Sequence, residues 1–208
     1  MSNFSPQRER RQARRRMQRD RTTIIWALIG IAALALVGFL VWNALRLAPV
    51  TSANTDASQA MGEAIPIQGE NHITTDTDPG PYNSNPPTSG PHYDDPLPPG
   101  FYEEADLAAW GPFPHAHAVH NLEHGYIVFW YNCSVIDEAA CTQLMDQIRG
   151  FINGSPIRKL IAFPWPDGLS PVTLTSWGYL LGMLQFDAAQ AAAFINANRL
   201  LAPEPNAD

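Results

Sequence analysis

The sequence predicts an α+β domain carried behind a single N-terminal transmembrane helix, and three observations carry that prediction. An uncharged apolar stretch, Thr22–Leu45, follows a cluster of arginines. Eight prolines crowd the segment from Pro79 to Gly100. Beyond them, apolar runs and helical periodicity alternate in the order β-α-β-β-α with no internal repeat, which suits helices packed on a sheet.

The charges are sorted along the chain. Eight of the 13 basic residues are arginines between Arg8 and Arg21. From Leu47 onward four basic residues face eighteen acidic ones, so the formal net charge of −7 conceals a C-terminal region near −14 (4 − 18). A basic arm can bind phosphate, but the neighbouring apolar stretch argues against a nucleic-acid partner. Thr22–Leu45 would span about 36 Å as a helix, enough to cross a bilayer. Trp26 and Trp42 fall near its ends, and the arginines predict a cytoplasmic N-terminus with the C-terminal region outside. The stretch is too long for a cleaved signal peptide. The sequence therefore reads as a single-pass membrane protein with a cytoplasmic tail (1–21), a membrane helix (22–45), a flexible stalk (46–78) and an extracytoplasmic domain (79–205).

Within the domain, the proline-rich segment can form neither helix nor central strand, because proline lacks the amide donor and restricts the residue before it. Tyr82, His92 and Tyr93 inside it favour an ordered loop, in which NPPTSGPH makes consecutive turns that fix His92. The alternative is a semi-rigid polyproline spacer. Tyr126–Tyr131 is a continuous apolar run, as for a strand buried on both faces. Asp137–Asn153 has helical spacing with Asp137 as N-cap. Arg158–Phe163 and Val172–Leu181 read as two strands, and Asp187–Leu200 as the closing helix. Cys133 and Cys141, expected outside the cytoplasm and eight residues apart, are expected to form a disulfide that ties the strand end to the first helical turn.

Candidate chemistry concentrates in PHAHAVHNLEHGYIVFWY, residues 114–131, which holds four of the six histidines. A short helix from about Ala116 to His124 would put His117, His120 and His124 on one side. HNLEH also fits the H-x-x-E-H pattern of one zinc-peptidase class, with Glu123 as base. Gly125 and a strand follow at once, however, whereas that class needs a sustained helix. His72, in GENHI, reads by itself as a solvated polar residue.

QGENHI (68–73), NPPTSGPHY (85–93), VHNLEHGYIVFWY (119–131) and LTSWGY (174–179) resemble, in order, the signature blocks of the bacterial family DUF3105, whose members are typically membrane-anchored with the domain outside the cytoplasm. The resemblance covers roughly residues 65–205. It implies that His72, His92, His120, Glu123 and His124 belong to one set, and it leaves out His115, His117 and the cysteines. The function expected is metal binding by His92, His120 and His124, with His72 completing the site and Glu123 ligating or orienting a histidine. Copper is the first choice of ion and zinc the second. Two alternatives stand beside it: a non-metal interaction domain whose histidines are structural, and a metallohydrolase with Glu123 as base.

Overall fold

A computed structural model describes residues 60–207. One mixed sheet contains β1 (Glu63–Ala64), β4 (Gly100–Phe101), β5 (Ile127–Tyr131), β6 (Leu160–Pro164), β7 (Val172–Ser176) and β8 (Tyr179–Met183), in the order β1-β8-β7-β5-β6-β4. β5 runs parallel to β6 and antiparallel to β7. Strands β2 (His72–Ile73) and β3 (His92–Tyr93) form a separate parallel ladder. The helices are α1 (Glu104–Leu107), α2 (His115–Glu123), α3 (Glu138–Gly154) and α4 (Ala188–Asn198).

β5 organises the core because successive side chains point to opposite faces. Ile127, Phe129 and Tyr131 join Leu144 and Ile148 of α3 and Phe194 of α4 in one cluster. Val128 and Trp130 join Val119 and Leu122 of α2, with Leu97 and Trp177, in the other. Every residue of β5 is buried, as the unbroken apolar run predicts. Asp137 caps α3 by accepting from the Ala140 amide at 2.8 Å. Asp187 caps α4 in the same way, accepting from Ala189 and Gln190.

The domain is α+β, but the expected architecture needs correction. Among the described residues no helix is long and apolar enough to cross a membrane. The tail (1–21) and the expected membrane helix (22–45) lie outside the described residues, so the architecture is stated without a membrane span. Residues expected in the flexible stalk supply β1 and β2 from Glu63 on, while 46–59 also lie outside the described residues. Val172–Leu181 is a hairpin rather than one strand: Ser176 pairs with Tyr179 across a two-residue turn, with Gly178 in the left-handed region at φ +75°. α2 is the short helix expected from about Ala116 to His124, and with α1 and the two-residue strands it makes the order longer than β-α-β-β-α.

Candidate metal centre

Two separate pieces of local structure deliver the site. The first is a zipper between QGENHI and TSGPHY. The Gln68 amide donates to Ser89 Oγ at 2.9 Å, Gly90 to the Gly69 carbonyl at 2.9 Å, and His92 to the Asn71 carbonyl at 3.1 Å. These bonds put His72 opposite His92 in the parallel register, so the two rings lie side by side. The proline-rich loop is ordered here, with Thr88, Ser89, His92 and Tyr93 all fully buried. Prolines suit it because the zipper draws on amides of non-proline residues.

The second piece is α2. Its apolar residues Ala118, Val119 and Leu122 pack on the sheet, which leaves polar residues at spacings of three on a buried face. Asn121 fixes this face to the loop: its Oδ1 accepts from the Leu97 amide and its Nδ2 donates to the Leu97 carbonyl, both at 2.9 Å. Gly125 then ends the helix at φ +77°. Its amide bonds the Leu122 carbonyl and the Tyr126 amide bonds Asn121, the paired bonds of a left-handed glycine cap.

The ladder and the helix bring His72, His92, His120 and Glu123 together, with one candidate ligand atom from each lying within 4.8 Å of all the others. Ligands of one ion are separated by at most twice a metal–nitrogen bond, about 4.2 Å. The group is therefore wider than that limit by about half an ångström, and its side chains have to close further on an ion held tetrahedrally. The ring centroids of His72, His92 and His120 are 4.8 to 5.2 Å apart. His92 and Glu123 are buried, whereas the His72 side chain is 46% exposed, so the group is open on one side.

The hydrogen bonds specify how the nitrogens present themselves. Nδ1 of His92 lies 2.7 Å from the Gly90 carbonyl, which can only accept, so Nδ1 carries the hydrogen. Nδ1 of His72 lies 3.1 Å from the Asp94 carboxylate and carries its hydrogen likewise. With the hydrogen on Nδ1, Nε2 of a neutral ring would offer a lone pair, and both Nε2 atoms face one oxygen, Glu123 Oε2, at 3.0 and 3.4 Å. Two lone pairs converging on a carboxylate repel unless protons or a cation lie between them. Nδ1 of His120 is a further buried atom with no hydrogen-bond partner. Burial, and then the neighbouring His124, His92 and His72, push the His120 pKa down to about 4. The Tyr93 carbonyl opposes this shift without completing a bond to Nδ1. A neutral His120 is the form that can ligate.

The remaining histidines are outside the group of four. His124, expected as a primary ligand, is the C-cap of α2, with its ring 4.4 Å from that of His120 and its Nε2 3.4 Å from Glu204. His117 bonds the Asp95 carbonyl and packs against Tyr93 and Trp110. His115 packs against Tyr82 and Trp165. Cys133 and Cys141 are joined in a disulfide. The orienting groups, Asp94 and the Gly90 carbonyl, are absent from the sequence reading. His92 and Asp94 are two apart, the spacing that shares one face of an extended strand, and that was the available signal.

The family model of DUF3105, described as a protein of unknown function, matches residues 72–208. This chain belongs to the DUF3105 family. No curated protein and no solved structure matches it. In this DUF3105 chain the matched span opens at His72 and contains all four clustered residues.

Proposed function

We propose that this DUF3105 domain binds one divalent transition-metal ion through Nε2 of His72, Nε2 of His92, a ring nitrogen of His120 and the Glu123 carboxylate. The observation that carries the reading is the convergence of two imidazole Nε2 atoms on a buried carboxylate, each ring turned by a hydrogen bond to its other nitrogen. Metal-ligating histidines are oriented in this way by carboxylates and carbonyls. Three imidazoles and a carboxylate suit copper(II) and zinc, and the order of divalent affinities puts copper first. The ion would polarise a water or small ligand reaching it from the open His72 side.

The bridged cysteines support an oxidising compartment, hence a site outside the cytoplasm. A metallohydrolase of the H-x-x-E-H kind fits less well. It needs His120 and His124 as the ligand pair and Glu123 held back as base, whereas Glu123 lies inside the cluster and His124 beside it. The interaction-domain reading needs His92 protonated and paired with Glu123 as a brace for the loop. Titration of the full chain with copper and zinc against a competing chelator separates these readings. One tight site is expected, weakened about 10–100-fold or more by His72→Ala, His92→Ala, His120→Ala or Glu123→Gln, losses at least of the size seen for orienting groups. His117→Asn should keep it. Unchanged affinity in His92→Ala and Glu123→Gln would refute the proposal and promote the brace.

A further inference from the structure

We propose that the Cys133–Cys141 disulfide is a thiol–disulfide exchange site, reduced by a neutral or cationic dithiol that enters the cavity beside Cys133. The site is distinct from the histidine cluster, which precedes β5; the disulfide follows it. Cys133 opens a short turn at the carboxyl end of β5, and Cys141 lies at the start of the seventeen-residue α3. β5 and β6 are parallel neighbours, and open sheets place ligands in crevices outside the carboxyl ends of such strands. A cavity of about 270 Å³ lies there, walled by Tyr131 and Cys133 from the end of β5 and by Pro164 and Trp165 from the end of β6. Both cysteines are partly buried, and Cys133 is the one in the cavity wall.

The placement makes the two sulfurs unequal. A thiolate in the cavity attacks Sγ of Cys133; the S–S bond breaks, and its electron pair leaves on Sγ of Cys141. Cys141 is the fourth residue of α3, where the partial positive charge of the helix start is offset by the Asp137 cap and by Glu138, so access from the cavity to Cys133 is what separates the two sulfurs. The second thiol of the dithiol then attacks its own sulfur bound to Cys133 and releases Cys133 as a thiolate. The dithiol has lost two electrons and two protons to become a disulfide, and the two cysteines have gained them.

Charge at the cavity selects among thiols. Glu103 and Glu104 line it as well, and both are exposed. Arg149 offsets Glu103 through an ion pair of 2.6 Å. Burial raises the pKa of the Tyr131 phenol, and the fields of Glu103 and Glu104 raise it further, so both carboxylates act on this cavity. An anionic thiol meets repulsion here, while a neutral or cationic one does not.

The test uses the oxidised full chain at low ionic strength, with thiols counted by alkylation and mass. Dithiothreitol should reduce the native disulfide faster than it reduces oxidised glutathione. Cysteamine should react about tenfold faster than glutathione per thiolate, and salt or Glu104→Gln should shrink that ratio by screening or removing the charge. Cystamine should trap a mixed disulfide on Cys133 in Cys141→Ser. The wild-type selectivity needs no variant, so a poorly folding Cys141→Ser leaves the test intact. A native disulfide that resists millimolar dithiothreitol until the chain unfolds would overturn the proposal, as would equal rates for cationic and anionic thiols.

Discussion

Gly125→Ala should destabilise the domain by about 2–5 kcal/mol and loosen the histidine cluster with it, by the sum of two independent costs. Gly125 holds φ at +77°, where an L side chain costs about 1–2 kcal/mol. A Cβ there would also sit 2.5 Å from the Arg199 carbonyl oxygen and 3.3 Å from Cα of Pro205. Both are backbone atoms, so relief requires a shift of the C-terminal segment, and forced overpacking costs about 1–3 kcal/mol. That segment is coupled to the site, because the Glu204 amide donates to the Glu123 carbonyl at 3.0 Å. Urea unfolding measures the loss, with Gly154→Ala as control. Gly154 ends α3 with nothing within 4 Å of its would-be Cβ, so alanine should be neutral or stabilise by up to about 1 kcal/mol. A loss below about 1 kcal/mol for Gly125→Ala would show that the left-handed cap does not fix this helix end.

Three further outcomes are expected. Burial holds the His115 pKa at about 4 against 6.5 in the unfolded chain, with Asp78 opposing the shift. The unfolded chain thus binds more protons between these values, so stability falls as pH drops through that window, by on the order of 3 kcal/mol. His115→Gln should remove that part of the acid slope in urea midpoints compared between neutral pH and pH near 4, and an unchanged slope would contradict the burial. Asn121→Ala strips both bonds to Leu97 and leaves a buried amide and carbonyl unpaired, which should cost about 2–4 kcal/mol in the same assay. Reducing Cys133–Cys141 should cost about 2–3 kcal/mol from loop entropy, and mass spectrometry of unreduced protein should find both thiols blocked; free labelling of both would contradict the bridge.

The parts of this fold legible in the sequence are those with a local signal. β5 is legible because no solvated segment spends Ile127–Tyr131 on apolar side chains, and α3 and α4 because an aspartate cap precedes helical spacing in each. β1, β2, β3 and β4 have two residues apiece, too few for any periodicity, and exist through long-range pairing alone. The turn at Trp177-Gly178 is hidden inside a strand-like run, VTLTSWGYLL, although a glycine between two strand-like halves is its signal. The cluster divides in the same way. His92, His120 and Glu123 stand in unusual local patterns, whereas His72 acquires its place from the zipper with TSGPHY. His124 shares the helical spacing of His120, yet as C-cap it sits at φ −84° and ψ 11°. The helix has already ended there, and its ring approaches Glu204 beside the cluster.

The most direct test is X-ray absorption of the full chain loaded with one equivalent of copper or zinc. The account predicts a first shell of three imidazole nitrogens and one carboxylate oxygen at about 2.0–2.2 Å, with no sulfur near 2.3 Å. In His92→Ala one imidazole should disappear from that shell. A wild-type spectrum with sulfur ligands, or one with fewer than two imidazoles, would contradict it.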